Sequence, residues 1–480
     1  MHDKSRRPKA GILQFASPRF KALGAGTKRG TYADRKNIES PAILAEWEKS
    51  ADLVFPGIIY SRADAEAAMT RFFAERVDFI IAEFLSWSED FAWIRFLRDC
   101  PQIPILFVNA SVPQVSFTDT LDEDDFIEYL CRGTLVGSLE AAGSAARLQR
   151  PLLTTIAGTR PQLSRQAAVF AAAARARSLL RHSTVGLLAN LNEAMWSTYI
   201  DPYNLFAKLG PETRFIPYST YADAIADIPE PEFIAYKSDL LSHYKKMPDV
   251  EDSKLDASIR ASIALAHLAA SYETDLMAFN DIDQAMFKLI GLRAGFYHPW
   301  FNQNRSVLVP EADIGAGLAT YLLKLLTNQH VNFIEPFHIE SAPGTFAAGH
   351  AGPNDHNDPA WRQNVLIARD VRFAKTNYKH AGAPFAWYRI PPGLKTIAQL
   401  TEDNGRYKMT CALVESLPGP HLLATYSHSI FKPVGASPEK FFEQILRVGT
   451  TQHFALVDGD WRPHLRQTAA LLNLDFLPIE

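Results

Sequence analysis

Four side chains in the second half of the chain are of types that bind divalent cations. Residues 333–359 read FIEPFHIESAPGTFAAGHAGPNDHNDP, a passage that crowds carboxylates, imidazoles and glycines where packing needs none of them. It holds Glu335 in an alternating apolar run and His350 in a glycine-bounded loop. Upstream, Glu311 in VLVPEADIGAGLATYLLKLL stands between an apolar strand and an apolar helix, where a solvated charge is out of place. Downstream, His453 in GTTQHFALV precedes another apolar strand. Nine of the fourteen histidines fall from His330 onward. Two carboxylates with neutral imidazoles and no thiolate form a hard-to-borderline ligand set. That set suits Mn²⁺ best, with Mg²⁺, Co²⁺ or Fe²⁺ as alternatives. Each residue also has a purely structural reading: Glu311 as the cap of the following helix, Glu335 as an ion-pair partner of His338, His350 as a loop residue, and His453 as a core histidine.

To bring these four together, the chain must place them near strand ends, where α/β folds collect ligands. The first third alternates short β-branched runs, at 10–16, 52–60, 78–84 and 103–110, with helical patterns. The helix expected over 61–77 opens on a Ser cap with acids in its first turn. Strands alternating with helices predict a parallel, doubly wound sheet. A long Ala- and Arg-rich helix over 165–182 ends at a new strand, 183–190, the entry to a second α/β unit. That unit runs through strands at 213–219, 274–281 and 305–313 and helices at 258–273 and 315–327. Beyond residue 360, short alternating runs separated by Pro- and Gly-containing turns predict an antiparallel, β-rich region. The expected architecture is therefore two doubly wound α/β domains, 1–180 and 181–329, followed by a β-rich, mostly antiparallel domain, 330–480, that carries part of the metal site.

Composition narrows the function class. The chain has 480 residues, 47% hydrophobic and 21% charged, with a net charge of −4 and no long charge run. No extended basic surface for nucleic acid is implied. The three cysteines, Cys100, Cys131 and Cys411, lie far apart, so neither a disulfide framework nor a thiolate zinc site is expected, and a reducing cytoplasm fits. No apolar run is long enough to span a membrane. LGAGTKRGTY at 23–32 lacks the GK[ST] ending of a phosphate loop and reads as a mobile surface loop with no helix directly after it. No GxSxG, HExxH or Cys–His signature is present, which leaves nucleophilic hydrolysis without support.

In order, these motifs resemble the L-arabinose isomerase and L-fucose isomerase superfamily, with the arabinose side closer in length and in the C-terminal half. PEADIGAGLATYLLKLLT is similar to the family segment in which a ligand Glu precedes a Gly, an Asp and a helix. NFIEPFHIE followed by AAGHAG resembles its strand with the second Glu and a ligand His one loop later. VGTTQHFALVDGDWRPHLRQTAALLNLDFLPIE resembles its closing segment. The likeness covers most of residues 180–480 and is fainter before them. It implies Glu311, Glu335, His350 and His453 as metal ligands, Glu311 and Glu335 as the acid/base pair, and Phe279 as a residue facing the substrate. It also implies a barrel-like form for the C-terminal β-rich domain, 330–480, and homotrimers or homohexamers with sites between subunits. Three positions depart from the pattern: Ala312 for the Gly, Pro336 for an acid, and Gln452 for the first histidine of the terminal pair.

The resemblance implies a cytoplasmic, metal-dependent aldose–ketose isomerase acting on a free pentose or 6-deoxyhexose. Moving a proton between C1 and C2 requires stabilising an enediol(ate), which a cation bound to adjacent sugar oxygens does as a Lewis acid. Two carboxylates then exchange protons, their pKa values pushed apart by their surroundings. Two other readings use the same residues: a non-catalytic cytoplasmic sugar-binding or regulatory protein, and a metal-dependent aldolase or hydrolase.

Overall fold

The computed structural model describes every residue except 1, 2, 120, 423 and 425. It is a mixed α/β structure with two parallel sheets and a closed antiparallel barrel. The chain divides into two compact units, Ser5–Ser178 and Leu179–Glu480, the latter joined by Asp3 and Lys4.

In Ser5–Ser178 the strands are β1 (Lys9–Phe15), β2 (Asp52–Val54), β3 (Ile58–Ile59), β4 (Phe79–Phe84), β5 (Ile105–Ala110) and β6 (Leu153–Gly158), paired in parallel in the order β2-β1-β4-β5-β6 with β3 also on β1. The single run read over 52–60 is two short strands, because Phe55-Pro56-Gly57 interrupts it and Pro has no N–H for the ladder. The helix Arg62–Ala74 begins at a capping box in which Ser61 and Asp64 each accept the other's backbone N–H.

Residues 23–32 correct the sequence reading. The helix Tyr32–Glu48 starts on the last of them, from a Thr31–Asp34 capping box, and Pro41 inside it masks the pattern. The loop itself is pinned: the N–H groups of Lys28 and Arg29 donate to the Asp124 carboxylate at 3.0 and 3.3 Å. Its anion-binding backbone is thus occupied by an acid of the protein itself.

Leu179–Glu480 opens with β7 (Thr184–Leu188), β8 (Glu212–Ile216), β9 (Lys245–Lys246), β10 (Leu276–Phe279) and β11 (Val307–Pro310). Four of these make the second parallel sheet, in the order β11-β10-β7-β8. The next strands are β12 (Asn332–Glu340), β13 (Thr345–His350), β14 (Leu366–Arg369), β15 (Pro384–Trp387), β16 (Gly393–Asp403), β17 (Arg406–Leu417), β18 (Ser427–Pro433), β19 (Phe454–Asp458) and β20 (Asp475–Pro478). β16-β19-β12-β13-β18-β17 pair antiparallel, and β17 returns to β16, closing a six-stranded barrel with β20 added on β17. Closure removes the exposed edges an open antiparallel sheet would leave. β9, β14 and β15 form a separate small sheet. In residues 365–376, one of the short alternating runs beyond residue 360, only Leu366–Arg369 is strand.

The helix Ile314–Thr327 links the parallel sheet to the barrel and is buried all round from Ile314 to Leu326. Its glycines answer to packing. A Cβ on Gly315 would lie 2.1 Å from the Leu400 carbonyl oxygen of β16, so only hydrogen fits where helix and strand cross. No helix among the described residues is long and apolar enough to cross a membrane.

Candidate metal centre

Glu311 follows β11 directly, and its backbone is left-handed: φ is +59° there and +55° at Ala312. Two consecutive non-glycine residues in that region store strain. They are held by bonds on every side. The N–H of Glu311 donates to Asp281 Oδ1 at 2.9 Å, that of Ala312 to the Phe279 carbonyl at 3.2 Å, and Asn192 Nδ2 to the Glu311 carbonyl at 3.1 Å. The result aims a buried carboxylate away from its own helix. Asp313, not Glu311, caps that helix, accepting the N–H of Ala316 at 2.9 Å.

Three of the four expected ligands converge. One ligand atom each from Glu311, His350 and His453 lies within 4.8 Å of the others, and all three residues are buried. His350 ends β13 rather than sitting in a loop, because the turn lies earlier, at Ser341–Gly344. Its Nδ1–H donates to the Ala351 carbonyl at 2.6 Å, leaving Nε2 as a lone pair 3.6 Å from Glu311 Oε1. His453, just before β19, donates from Nδ1 to Asp313 Oδ2 at 2.9 Å, and Thr451 Oγ1 donates to the same oxygen at 2.7 Å. Its Nε2 lies 3.3 Å from Glu311 Oε2. The Phe333 ring packs against both imidazoles, with centroids 4.9 and 4.8 Å away.

Glu311 Oε2, His350 Nε2 and His453 Nε2 are all buried without a hydrogen-bond partner. The ion-pair distance of 3.3 Å and the lack of a hydrogen bond describe one situation, because a neutral imidazole with Nδ1–H engaged can only point a lone pair at the carboxylate. Such a facing pair needs positive charge between its atoms, either a proton or a cation. Burial works against charge on His453, but Asp313 and Glu311 outweigh it and raise the pKa to about 9, so a proton can serve there. It cannot serve His350, whose imidazole burial pulls down to about 3, with only partial opposition from Glu311. A cation shared by all three atoms satisfies both histidines at once, and carboxylate with two Nε2 donors is a fitting set for a divalent ion.

Glu335 lies inside β12, opposite Gly349 of β13, rather than at a strand end. It is half-buried and outside the converging triad. Burial, then the nearby Glu311 charge, raise its pKa against His453 and Arg293. Glu311 moves the other way. Burial opposes its ionisation, but His453, His350 and Arg293 hold it below the usual carboxylate range. The pairing of Glu335 with His338 is absent; a bulge at Pro336–His338 separates them, and His338 instead faces Glu340, two residues further along the strand, at 3.3 Å. Gln452 donates to Met195 Sδ. Phe279 is fully buried with its ring against Tyr221, and it is the Phe279 carbonyl, through Ala312, that reaches the site.

Sequence reading passed over Arg293. Its Nε donates to Asp281 and its Nη2 to Glu311 Oε1 at 3.2 Å, so one Glu311 oxygen is tied and the other left for the triad. The available signal was an Asp281–Arg293–Glu311 set in which two members directly follow strands of one sheet. A scan against models of protein families finds no match for the chain, and a search of curated proteins finds none either.

Proposed function

We propose that the chain is a metal-dependent aldose–ketose isomerase of the L-arabinose/L-fucose isomerase superfamily, acting on a free pentose or 6-deoxyhexose. The observation that carries this reading is the set of three partnerless ligand atoms on Glu311, His350 and His453, with a second carboxylate, Glu335, beside them and of opposite pKa shift. When bound, a divalent cation, Mn²⁺ by preference, supplies Lewis-acid polarisation of adjacent sugar oxygens.

The chain's own residues do the rest. Glu311 stays ionised, one oxygen fixed by Arg293. Glu335, its pKa raised by burial and by Glu311, keeps a proton to higher pH than Glu311 does and can deliver it, then take one back as the carboxylate. That division matches the two tasks of moving a proton between C1 and C2 and another between O1 and O2. Asp313 and the Ala351 carbonyl hold the tautomers of His453 and His350, and Phe333 keeps water from the imidazoles.

The proposal extends to the family's architecture and setting: domains at 1–180, 181–329 and 330–480, a cytoplasmic location, and a homotrimer or homohexamer. The orders β2-β1-β4-β5-β6 and β11-β10-β7-β8 both reverse at their first strand, which supports the doubly wound reading. A screen of aldoses with Mn²⁺-loaded protein, read by ketose formation, tests the activity. Ketose of unchanged carbon number is the expected product. Shortened carbon chains would mean an aldolase, and no conversion by protein shown to hold Mn²⁺ would refute the isomerase.

A further inference from the structure

A cavity of about 320 Å³ opens in the Leu179–Glu480 unit and shares no residue with the metal centre. Its size falls in the range of small-molecule sites, about 300 to 1,000 Å³. A dyad stands in its wall. Asp355 is buried and its carboxylate is fully engaged: Oδ1 takes bonds from Asn302 Nδ2 at 2.9 Å and the Asn357 N–H at 3.1 Å, and Oδ2 faces His330 Nδ1 at 2.9 Å. His330 is held by that one edge, which leaves its Nε2 edge for another partner, and its side chain is 29% exposed. His356 lines the same cavity at 2% exposure. Its Nδ1 lies 3.3 Å from the Asn354 carbonyl, and its Nε2 is buried with no partner. The Trp361 indole completes the wall, locked in orientation by its Nε1–H donating to the Arg389 carbonyl at 2.6 Å.

We propose that this cavity is a metal-independent binding site for a neutral, polyhydroxylated ligand of the saccharide class, separate from the Glu311 centre. An oriented imidazole edge and an unpaired buried acceptor call for hydroxyl groups, which both donate and accept. A fixed indole offers a platform to the apolar face of a sugar ring. Charge selects against ions of either sign. Asp358 lines the cavity and repels anions, while Asp458, also in the lining, is paired with Lys395. Asp355 offers a cation no bare carboxylate, since His330 contacts it and the buried Lys324 ammonium, 2.9 Å from the Gln329 carbonyl, offsets its charge from behind the wall. The site also adjoins the metal centre through one strand: Asn332 of β12 lines the cavity and donates to the Asp355 carbonyl at 3.0 Å, while the next residue, Phe333, packs on the two ligand imidazoles. The inference does not rest on the isomerase reading.

Calorimetric titration and saturation-transfer NMR of the full chain, stripped of metal with a chelator, test it with L-arabinose, D-glucose, ribitol and D-gluconate. The three neutral compounds are expected to bind and gluconate to bind at least about tenfold more weakly. His330→Gln and Trp361→Ala should each weaken neutral-ligand binding by about tenfold, the scale of one lost hydrogen-bonding or stacking partner. Should Trp361→Ala fail to fold, Gln329→Ala, at the half-buried rim, is expected to weaken binding severalfold. Glu311→Gln should leave binding unchanged. The proposal is overturned if no neutral compound binds, if gluconate binds as well as glucose, or if binding survives His330→Gln but is lost in Glu311→Gln.

Discussion

Replacing Asp313 by Asn isolates the one bond that decides which way the His453 lone pair points. Asp313 makes three contacts with its two oxygens: Oδ1 accepts the Ala316 N–H at 2.9 Å as the helix cap, and Oδ2 accepts both Thr451 Oγ1–H at 2.7 Å and His453 Nδ1–H at 2.9 Å. Asn keeps a carbonyl for the cap, and Asn and Asp are about equally good there. Its NH₂ then occupies the position of Oδ2 and presents donors. Thr451 Oγ1 already accepts from Gln399 Nε2 and from the His453 N–H, each at 3.2 Å, so it must give up one of these to accept from the new amide. His453 can only respond by moving its proton to Nε2, the atom that must otherwise carry the free lone pair. A cation then has to displace that tautomer before it binds. Loss of an outer partner of a ligand histidine costs about 10- to 100-fold in metal affinity, or about 1.4 to 2.7 kcal/mol. We expect a Mn²⁺ dissociation constant raised by that factor for Asp313→Asn, measured by competition with a calibrated chelator. Urea unfolding of the metal-free protein should change by no more than about 1 to 2 kcal/mol, since the cap survives and one charge-assisted bond is exchanged for a neutral one. Affinity within twofold of the parent in a protein of unchanged stability would refute the argument, because Asp313 would then not set the His453 tautomer.

Three other substitutions follow from the same geometry. Glu311→Gln should abolish measurable Mn²⁺ binding while the protein stays folded, because Arg293 keeps its pairing with Asp281; metal content after dialysis is the check. Glu335→Gln should do the reverse, retaining bound Mn²⁺ yet losing at least about 100-fold in ketose formation, the usual contribution of a general acid or base. In Gly315→Ala the new methyl meets the Leu400 carbonyl at 2.1 Å, so overpacking should cost about 1 to 3 kcal/mol or more in chemical denaturation, whereas the exposed Gly435→Ala tests only the loss of its φ of +92°. Stability should also depend on acid pH through Asp355. Burial raises its pKa, but His330 and the hydrogen bonds to its carboxylate win and lower it to about 2 from an ordinary 3.8. A depressed folded pKa adds stability above pH 3.8 and loses it as pH falls toward 2, about 2 kcal/mol in all. In Asp355→Asn that part of the acid slope should vanish.

The sequence makes the α/β character and the barrel's antiparallel texture legible, because alternation and turn residues are local signals. The short strands β2 and β3 and the helix Tyr32–Glu48 were harder for the opposite reason: Pro56 splits one pattern and Pro41 hides the other. Barrel closure is not local at all, since β16 meets β17 next to it but also β19, some fifty residues on. The candidate ligands stood out individually as charges in apolar surroundings. Their partners did not. Asp281 and Arg293 read as ordinary polar residues, and only the fold places them at 2.9 and 3.2 Å from the Glu311 backbone and carboxylate. A carboxylate that reads as a helix cap and one that binds a cation have the same letter. Here the distinction lies in φ: the left-handed turn at Glu311 and Ala312 hands the cap to Asp313 and frees Glu311 for the histidines.

That turn also accounts for why so many buried polar groups collect at one spot. Left-handed backbone at two non-glycine residues costs about 1 to 3 kcal/mol each, and an isolated chain would relax it. It persists because Asp281, Phe279 and Asn192 each bond a backbone group of the turn, and because Arg293 ties both Asp281 and Glu311. Arg293 therefore acts twice, sharing its one positive charge between two acids that could not otherwise sit together in a dry site and holding the Glu311 carboxylate in one orientation. The charge count then follows. With Arg293 balancing Asp281, the carboxylates in contact with the two neutral imidazoles are Glu311 and Asp313, two negative charges, with Glu335 outside that contact. A single divalent cation cancels them where one proton on His453 would leave His350 unsatisfied and the cluster negative. The strain, the arginine and the tautomers are thus parts of one arrangement, each needed for three lone-pair atoms to face a common point.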